Sequence, residues 1–547
     1  MCSFGSTTAP IKASEVIALR SVVPAGIEPR MLVASLLLVS SLLGSDVADA
    51  ADVRASATRS LFARPAGLTD AGQVVVKWVR DARFHGLELT PDPAVEAWLL
   101  QPSEASDGVE RTLQAQLAQL VAELAPRPRM LPVLDDPETR FYPTPDILWR
   151  NVAGPTASTE ALNAAQRAAE DGTLDTHLAS LLPTHPQYRR LVEAASRYDA
   201  MCQAGGFPSV ARPVVKRPKP GRTKYTTPKD DYAQALQARL VAEGFLAATD
   251  PSAPSSVWDD ATRTALSLWL TSRQLPQPGG LLLDDLHVAL DKSCEGLVAS
   301  LTLNAKRWRH SAWRGEPTFV EVNIAAQELR YVRDGALVMS QRTVVGSNKW
   351  YFDTDLKRRL NLHATPVLTD EITRIVVNPI WAVPPRIALN VIDKEVAKDP
   401  TYLEKKRIQL VTSARGRTYI QSPGAENALG VIKILFPNDE DVYLHDTPKK
   451  GPFKLAVRAL SHGCVRVQNA LDFGLQLLID DAARAGQPFD AESLRKRAGR
   501  GGSIIFDLAS EIPVFLEYYT ASVDDSGLVR FHPDIYAYDV DPVATRR

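Results

Sequence analysis

The first long segment of the chain, from about Leu61 to Tyr198, has the hydrophobic spacing of α-helices. Apolar side chains recur there at helical intervals, so that they share one face of each helix. One such stripe stops before Pro126, and another begins after Pro186. Their members are Leu113, Leu117, Leu120 and Leu124 in the first stripe and Tyr188, Leu191 and Ala195 in the second. We interpret both stripes as core-forming faces without a chemical role.

A second helical unit is predicted between Tyr232 and about Leu290. Asp259 is placed to cap its middle helix, and the pair Gly279-Gly280 predicts a turn before the last helix. The three apolar stripes are Leu236, Leu240 and Phe245; Ala265, Leu266, Trp269 and Leu270; and Leu286 and Leu290. Short amphipathic helices in this order predict a small bundle.

After Ser300 the pattern changes from helical to alternating. Val320, Val322 and Ile324 alternate with polar residues, as in strands that bury one face. The pair Asp334-Gly335 separates two extended runs and favours the positive φ angles of a tight hairpin turn. Further extended runs lie at 374–377, 431–436 and 512–519, and one helix is predicted at 470–479. The pattern therefore predicts a largely β domain.

Residues 211–230 separate the two helical units and are rich in Pro, Lys and Arg without periodicity, which predicts an extended, solvated linker. A basic patch for nucleic acid is the alternative interpretation of this segment. The whole chain has 63 basic and 64 acidic side chains, so no global field would hold it on nucleic acid or on an anionic membrane. At roughly 150 residues per domain, its length predicts three to four domains.

The N-terminus has the pattern of a secretory signal peptide. The apolar run 32–43 follows Arg20 and Arg30 and precedes Ala48-Asp49-Ala50, a small-x-small cleavage site. This run is shorter than the ~20 residues that span a bilayer, so we expect export and no stable membrane span after cleavage. An uncleaved signal anchor is the alternative.

The chain has only four cysteines, Cys2, Cys202, Cys294 and Cys464, which are too few for a disulfide scaffold. Cleavage after Ala50 would remove Cys2 and leave three cysteines in an oxidising compartment. A pair between Cys202 and Cys294 with Cys464 free is the simplest arrangement, although the sequence does not exclude other pairs.

The strongest chemical signal consists of Tyr443-Leu444-His445-Asp446-Thr447-Pro448 followed by Ser461-His462-Gly463-Cys464-Val465-Arg466-Val467. A cysteine nucleophile needs a nearby imidazole to form or stabilise its thiolate, and two histidines lie close in sequence here. We expect His462 and Cys464 to project from the same side of an extended strand. The N–H groups of Gly463 and Cys464 could then bind an oxyanion, and Arg466 could bind a substrate carboxylate. This arrangement suits acyl transfer.

Other interpretations of these residues remain open. His445, His462 and Cys464 could bind zinc together with a water molecule, although the chain has no CxxC or HExxH pattern. Cys464 could be an inert buried thiol, and Arg466 could form a surface salt bridge. Trp381, which lies among prolines, could simply fill a core.

The two motifs resemble the active-site motif of the L,D-transpeptidases, exported enzymes that crosslink peptidoglycan through a catalytic cysteine. The resemblance covers about 301–539. Within the family, the chain is similar to the large, multidomain enzymes found in Gram-negative bacteria. The supporting segments are 304–309 (NAKRWR), 378–385 (NPIWAVPP) and 531–536 (FHPDIY). The unit at 232–290 resembles the small helical peptidoglycan-binding domain, with a purely structural module as the alternative.

In that family, the cysteine attacks the carbonyl of the third residue of a stem peptide and expels the terminal D-alanine. An amine of a second stem then takes the acyl group. The resemblance implies that Cys464 is the nucleophile, that His445 is its proton acceptor, and that His462 orients or lines the oxyanion pocket; Gly463, whose N–H could bind the oxyanion, is the fourth predicted catalytic residue. The implied substrate-binding residues are Arg466, Trp381, Ser461 and Tyr443. The resemblance implies no metal and no cofactor.

The predicted fold is α+β, with a mostly helical N-terminal part and a mostly β catalytic domain. The predicted divisions are a signal peptide at 1–50, a helical scaffold at 51–210, a linker at 211–230, a peptidoglycan-binding-like bundle at 231–293, and a catalytic domain at 300–543 with an inserted cap at about 367–420. Residues 348–363 make one connection longer than the family pattern leads us to expect, and Asp446 stands where relatives often have glycine.

The predicted function is that of an exported, periplasmic cysteine L,D-transpeptidase that forms peptidoglycan crosslinks. The same site could instead hydrolyse the stem peptide or attach a protein amine to it. A non-catalytic wall-binding scaffold is the alternative from another class. We expect the protein to bind peptidoglycan stem peptides and glycan and not nucleic acid. Other cell-wall synthesis proteins are possible further partners.

Overall fold

The computed structural model describes residues 60–103, 106–125, 157–212, 230–247, 258–277, 283–353, 358–361, 363–413 and 416–539. These residues form the expected α+β protein, helical in its N-terminal part and β-rich in its C-terminal part. The predicted signal peptide and all but the ends of the predicted linker lie outside the described residues. Across the described ranges, no helix combines the length and the apolar character needed to cross a membrane.

Six α-helices, one 3₁₀ helix (Ala82–His85) and one short hairpin form the described N-terminal part. The elements are β1 (Ala63–Arg64), β2 (Gly67–Leu68), α1 (Asp70–Asp81), α2 (Pro93–Leu100), α3 (Ser106–Leu124), α4 (Thr159–Glu170), α5 (Leu174–Ser180) and α6 (Pro186–Gln203). The leucine stripe of α3 is buried against α1 and α4, as the spacing predicted. The predicted face of α6 is also buried, but it packs against a different core, shared with the C-terminal part.

The small helical bundle consists of α7 (Asp230–Ala242), α8 (Asp260–Ser272) and α9 (Leu283–Leu290). Asp259 caps α8, because its carboxylate accepts a hydrogen bond of 2.8 Å from the backbone N–H of Thr262. Trp269 lies at the centre of the bundle and is completely buried. Its indole N–H donates to the carboxylate of Glu243, which two arginines, Arg239 and Arg273, also bind.

Helix α10 (Cys294–Arg309) runs along α6 and joins the helical part to the β domain. A disulfide bond between Cys202 and Cys294 links the two helices, which confirms the simplest pairing, and Cys464 is the free cysteine of the described residues. Gln187 on α6 holds the β domain through two hydrogen bonds with the backbone of Val523, at 2.6 and 3.0 Å.

Nine strands form the central sheet of the β domain. They are β3 (Phe319–Asn323), β4 (Glu328–Arg333), β5 (Ala336–Gly346), β8 (Leu368–Val377), β12 (Ile432–Leu435), β13 (Leu444–His445), β14 (Ala459–Ser461), β15 (Val465–Val467) and β16 (Ile504–Glu517). Their order is β14-β5-β15-β13-β12-β8-β16-β3-β4. Because β4 also pairs with β5, the sheet closes on itself, and β14 lies beside the end of β5.

The remaining elements surround this sheet. Two hairpins pair β6 (Tyr351–Asp353) with β7 (Arg358–Leu360) and β17 (Ala521–Val523) with β18 (Val529–Phe531). A small sheet consists of β9 (Trp381–Ala382), β10 (Ile408–Ser413) and β11 (Gly416–Gln421). Between β9 and β10 the chain forms the short helices α11 (Pro385–Ile387), α12 (Asp393–Lys398) and α13 (Tyr402–Lys405). The predicted cap, about 367–420, overlaps β8 of the central sheet; the segment outside that sheet runs from Trp381 to Gln421.

The β domain agrees with the sequence pattern in one detail and differs from it in two. The predicted hairpin between β4 and β5 is present, with φ angles of 51° at Asp334 and 78° at Gly335. In β3, however, both faces are buried, so that Glu321 and Asn323 are covered together with their apolar neighbours. The predicted helix after the cysteine is longer than expected, since α14 spans Ala470–Arg484, and α15 (Ala491–Arg497) follows it.

Candidate active site

Three neighbouring strands place the candidate residues on one face of the central sheet. Strand β13 lies between β12 and β15, and His445 is paired with Lys433 on one side and with Arg466 on the other. Paired side chains point to the same face of a sheet, and residues two apart do so as well. Tyr443 and Cys464 precede His445 and Arg466 by two positions. The alternate residues, Ile432, Ile434, Leu444, Val465 and Val467, fill the hydrophobic core behind the site.

The nucleophile lies on a bend, not on an extended strand. His462, Gly463 and Cys464 connect the end of β14 to the start of β15. Gly463 has a φ of 125°, a value that residues with a side chain rarely adopt. His462 is therefore exposed, and its ring contacts that of His363 edge-on at a centroid distance of 4.8 Å. The prediction that His462 and Cys464 share one side of a strand is wrong, because it assumed a strand period across this bend.

Ser461 closes the bend. Its buried hydroxyl donates a hydrogen bond of 2.6 Å to the carbonyl oxygen of Cys464 and accepts one of 3.2 Å from the N–H of Gly463. Both contacts hold the backbone of the bend, and the substrate contact expected of Ser461 stays a prediction. The N–H of Gly463, one of the two donors predicted for an oxyanion, points to this hydroxyl in the structure, and its role towards an oxyanion stays a prediction.

Cys464 is half-buried and contacts the segment before β13. Its Sγ lies 3.5 Å from the carbonyl oxygen of Asp441, and the neighbouring Tyr443 acts on the thiol. Burial raises the pKa of the Cys464 thiol, while hydrogen bonds from Tyr443 and the charge of Lys433 act in the opposite direction. Burial also raises the pKa of Tyr443, whose hydroxyl therefore stays protonated as a donor.

His445 is buried as a neutral imidazole. Burial and the positive charge of Arg466 lower its pKa to about 3. Its Nδ1 is hydrogen bonded to the carbonyl oxygen of Asp446, an acceptor, so Nδ1 carries the proton and Nε2 is left as an acceptor. Within the described contacts, no hydrogen bond joins this imidazole to the Cys464 thiol.

Two predicted substrate-binding residues flank the nucleophile. The guanidinium of Arg466 is largely buried, its Nε has no hydrogen-bond partner among the described residues, and burial lowers its pKa. Trp381 reaches the site from β9, where it acts to lower the pKa of Tyr443 against the larger effect of burial. The described residues contain no group of three His, Cys, Asp or Glu side chains that could hold a metal ion, so the zinc alternative lacks its ligand set there.

Residues 317–478 match the family model of the L,D-transpeptidase catalytic domain (YkuD). This segment is an L,D-transpeptidase catalytic domain. A putative L,D-transpeptidase of Haemophilus influenzae is 29% identical over 263 residues, which cover 44% of this chain and 48% of the relative. The chain therefore spans about half the length of this curated relative.

Solved L,D-transpeptidase structures are similar to the chain at low identity. An L,D-transpeptidase from Mycobacterium smegmatis is 12% identical, with 37% of this chain and 58% of that chain covered and a TM-score of 0.17. An L,D-transpeptidase from Xylanimonas cellulosilytica is 15% identical, with 56% of this chain and 100% of that chain covered and a TM-score of 0.17.

The bend that carries Cys464 in the L,D-transpeptidase domain rests on residues that the sequence did not single out. The hydroxyl of Thr365 donates to the carbonyl oxygen of Gly463 at 2.6 Å and accepts from the N–H of Gly346 at 2.8 Å. Tyr536, from the FHPDIY segment, accepts a hydrogen bond from the N–H of Thr365 and donates one to the carbonyl oxygen of Gly346. A side chain at Gly346 would collide with the backbone of His363, its Cβ lying 2.0 Å from the carbonyl oxygen.

Asp446 supports the histidine of the same domain. Its backbone carbonyl oxygen is hydrogen bonded with Nδ1 of His445. Its buried carboxylate accepts a hydrogen bond of 3.0 Å from the N–H of Val431 and forms an ion pair with Lys450. The position was visible in the His-Asp-Thr-Pro motif, but its role depends on the approach of residues 430–431, which only the fold reveals.

Proposed function

We propose that this protein is a cysteine L,D-transpeptidase that forms crosslinks between peptidoglycan stem peptides. One observation carries the proposal: the pairing of β13 with β15 sets His445 directly beside Arg466, and Tyr443 and Cys464 lie in the connections immediately before these two strands. A thiol, a neutral imidazole and an unpaired guanidinium are the groups that acyl transfer from a carboxylate-bearing peptide requires.

The proposed reaction has two acyl transfers. The Cys464 thiol loses its proton, for which Nε2 of His445 is the acceptor, and the thiolate attacks the carbonyl carbon of the third stem residue. The C–N bond to the terminal D-alanine breaks, the released amine takes the proton, and a thioester remains. The amine of a second stem then attacks the thioester, gives up its proton and restores the thiol. Arg466 would bind a carboxylate of the donor peptide.

The test is incubation of the purified protein with a tetrapeptide muropeptide, followed by mass spectrometry. We expect a crosslinked dimer that has lost one D-alanine, and no product with Cys464→Ser, because a hydroxyl is a far poorer nucleophile near neutral pH. Cys202 and Cys294 form the disulfide, so neither supplies an alternative free thiol. Two results would overturn the mechanism. One is a crosslinked product made by Cys464→Ser, and the other is a loss of wild-type crosslinking when a zinc chelator is added.

The same assay separates the alternatives. A tripeptide without dimer would identify hydrolysis by water, and a stem attached to an added lysine peptide would identify protein attachment. Binding without any product or acylated cysteine would identify the wall-binding scaffold.

We also propose that the protein is exported to the periplasm and that the bundle α7–α9 binds peptidoglycan. The apolar run 32–43 and its cleavage pattern support export. Cell fractionation and N-terminal sequencing should find a mature protein that starts near Ala51, whereas full-length protein in the cytosol would contradict export. Removal of residues 231–293 should weaken pull-down on purified sacculi, and unchanged pull-down would contradict the role of the bundle.

A further inference from the structure

Lys433 lies in the middle of the site, although no sequence motif pointed to it. It belongs to β12 and is paired directly with His445 across the strands. Its Nζ lies 3.7 Å from the centre of the Tyr443 ring, the geometry of a cation–π contact. The same tyrosine also acts on the Cys464 thiol, whose pKa it lowers. One tyrosine therefore contacts the ammonium group and influences the nucleophile.

The ammonium group of Lys433 is a half-buried charge without a permanent counter-ion. No described carboxylate forms an ion pair with it, and burial lowers its pKa. The charges that act on it in the opposite direction are those of Cys464 and Asp441. A half-buried cation costs free energy unless an anion compensates it, and Cys464 becomes an anion only when it ionises.

The other charged and titratable groups around Cys464 leave this role open. The group consists of His445 on β13, Arg466 on β15, and Tyr443 and Asp441 in the segment before β13. His445 is neutral and cannot offer a positive charge to a thiolate. Asp441 is exposed and negative, and it disfavours the thiolate. Arg466 has the alternative task of binding a substrate carboxylate, after which its charge is already compensated.

We propose that Lys433 supplies the positive charge that stabilises the Cys464 thiolate, with the Tyr443 ring holding its ammonium group in place. When the S–H bond breaks, the electron pair stays on sulfur and the proton passes to Nε2 of His445 or to water. The thiolate then faces the ammonium group of Lys433. In this arrangement His445 moves the proton and Lys433 stabilises the charge, so the two tasks belong to different residues. The inference rests on the proposed function only in taking Cys464 as the nucleophile.

The test measures the ionisation of Cys464 without any peptidoglycan. The rate of alkylation by iodoacetamide, an uncharged reagent, is followed by mass spectrometry from pH 5 to pH 10 in wild type, Lys433→Met and Lys433→Arg. We expect the midpoint of the profile to move up by about one pH unit in Lys433→Met, which makes alkylation near neutral pH roughly tenfold slower. Lys433→Arg keeps the charge and should restore most of the rate.

Lys398→Met is the matched control, because Lys398 is exposed and pairs with Glu395 far from the site in sequence. Its profile should coincide with that of the wild type. Lys433→Gln provides a second neutral variant, and a thermal melt of each protein shows whether it is folded. An unshifted midpoint in a folded neutral variant, or an arginine variant as slow as the methionine one, would overturn the proposal. If the shift is found but the muropeptide assay gives no product, only the proposed function fails.

Discussion

The hydroxyl of Thr365 donates a hydrogen bond of 2.6 Å to the carbonyl oxygen of Gly463, the residue immediately before the nucleophile. Thr365 is buried, and it also accepts the N–H of Gly346. Thr365→Val keeps the shape but leaves both backbone groups without a partner. We expect a loss of about 1 to 3 kcal/mol in the free energy of unfolding, measured by urea denaturation.

The carbonyl of a β-lactam mimics the acyl donor, so we expect a carbapenem to acylate Cys464. The same variant should slow this acylation, since the bend loses the contact that orients the nucleophile. Thr365→Ser retains the hydroxyl and should acylate at close to the wild-type rate. Equal acylation by the valine and serine variants would mean that this hydrogen bond stabilises the fold without orienting Cys464.

The substrate role of Arg466 can be separated from general damage to the site. If its guanidinium binds a carboxylate of the stem peptide, Arg466→Ala should lower kcat/KM for the tetrapeptide by roughly 10- to 100-fold, the equivalent of one charge-assisted hydrogen bond. Acylation by a carbapenem should fall less. Arg374→Ala, which removes an exposed arginine from the same sheet, is the control, and equal losses with both substrates would contradict the assignment.

Four histidines with lowered pKa values, of which His445 is buried and three are half-buried, predict a loss of stability in mild acid. Burial lowers the pKa values of His445 and His532 to about 3 and those of His85 and His185 to about 4. Below the ordinary value of 6.5, the unfolded chain takes up protons that the folded protein refuses, so stability is full above that pH and declines as the pH falls towards 4.

The contribution of one histidine can be measured with His532→Gln. Between pH 7 and pH 5 this variant should lose about 2 kcal/mol less free energy of unfolding than the wild type, because one site of proton uptake is removed. His177→Gln, at a partly exposed position, is the control. Parallel pH profiles of wild type and His532→Gln would contradict the burial of this imidazole in the neutral form.

Glu243 should be among the most sensitive positions for stability. Its carboxylate is buried between Arg239 and Arg273, and Trp269 donates to it as well. Glu243→Gln leaves two buried guanidinium groups without a counter-charge, so we expect a loss of about 3 to 5 kcal/mol in urea denaturation. Glu96→Gln breaks an exposed pair with Arg80 and should cost under about 1 kcal/mol. Similar losses in both variants would contradict this difference.

The disulfide between Cys202 and Cys294 should stabilise the folded protein by about 2 to 5 kcal/mol, because it closes a long loop in the unfolded chain. The double variant Cys202→Ser with Cys294→Ser tests this by urea denaturation, with Cys464→Ser as the single-thiol control. Protein that starts at Ala51 should show one reactive thiol after denaturation without reductant, and three would disprove the bond.

Local patterns predicted the elements whose structure depends on neighbouring residues. The leucine spacing of α3, the cap at Asp259 and the turn at Asp334-Gly335 each depend on a few adjacent positions. The two motifs predicted the L,D-transpeptidase catalytic domain for a similar reason, since the residues of each motif lie within a few positions of one another.

The remaining parts of the site depend on contacts between distant segments. Lys433 and His445 meet through strand pairing, and Thr365 reaches Gly463 from 98 positions away in the chain. The spacing of hydrophobic residues along the chain does not predict contacts between such distant positions. The exposed position of His462 was missed for a different reason, because the φ of Gly463 interrupts the alternation that a strand would have.

The bond between Cys202 and Cys294 has a practical consequence for anyone who digests the protein. The basic stretch 211–230 offers several lysines and arginines to trypsin, and all of them lie between the two cysteines. A chain nicked there keeps both fragments tied together, so it migrates as a single band without reductant and separates into two only when the bond is reduced. The apparent integrity of a preparation on a non-reducing gel is therefore no measure of an intact backbone.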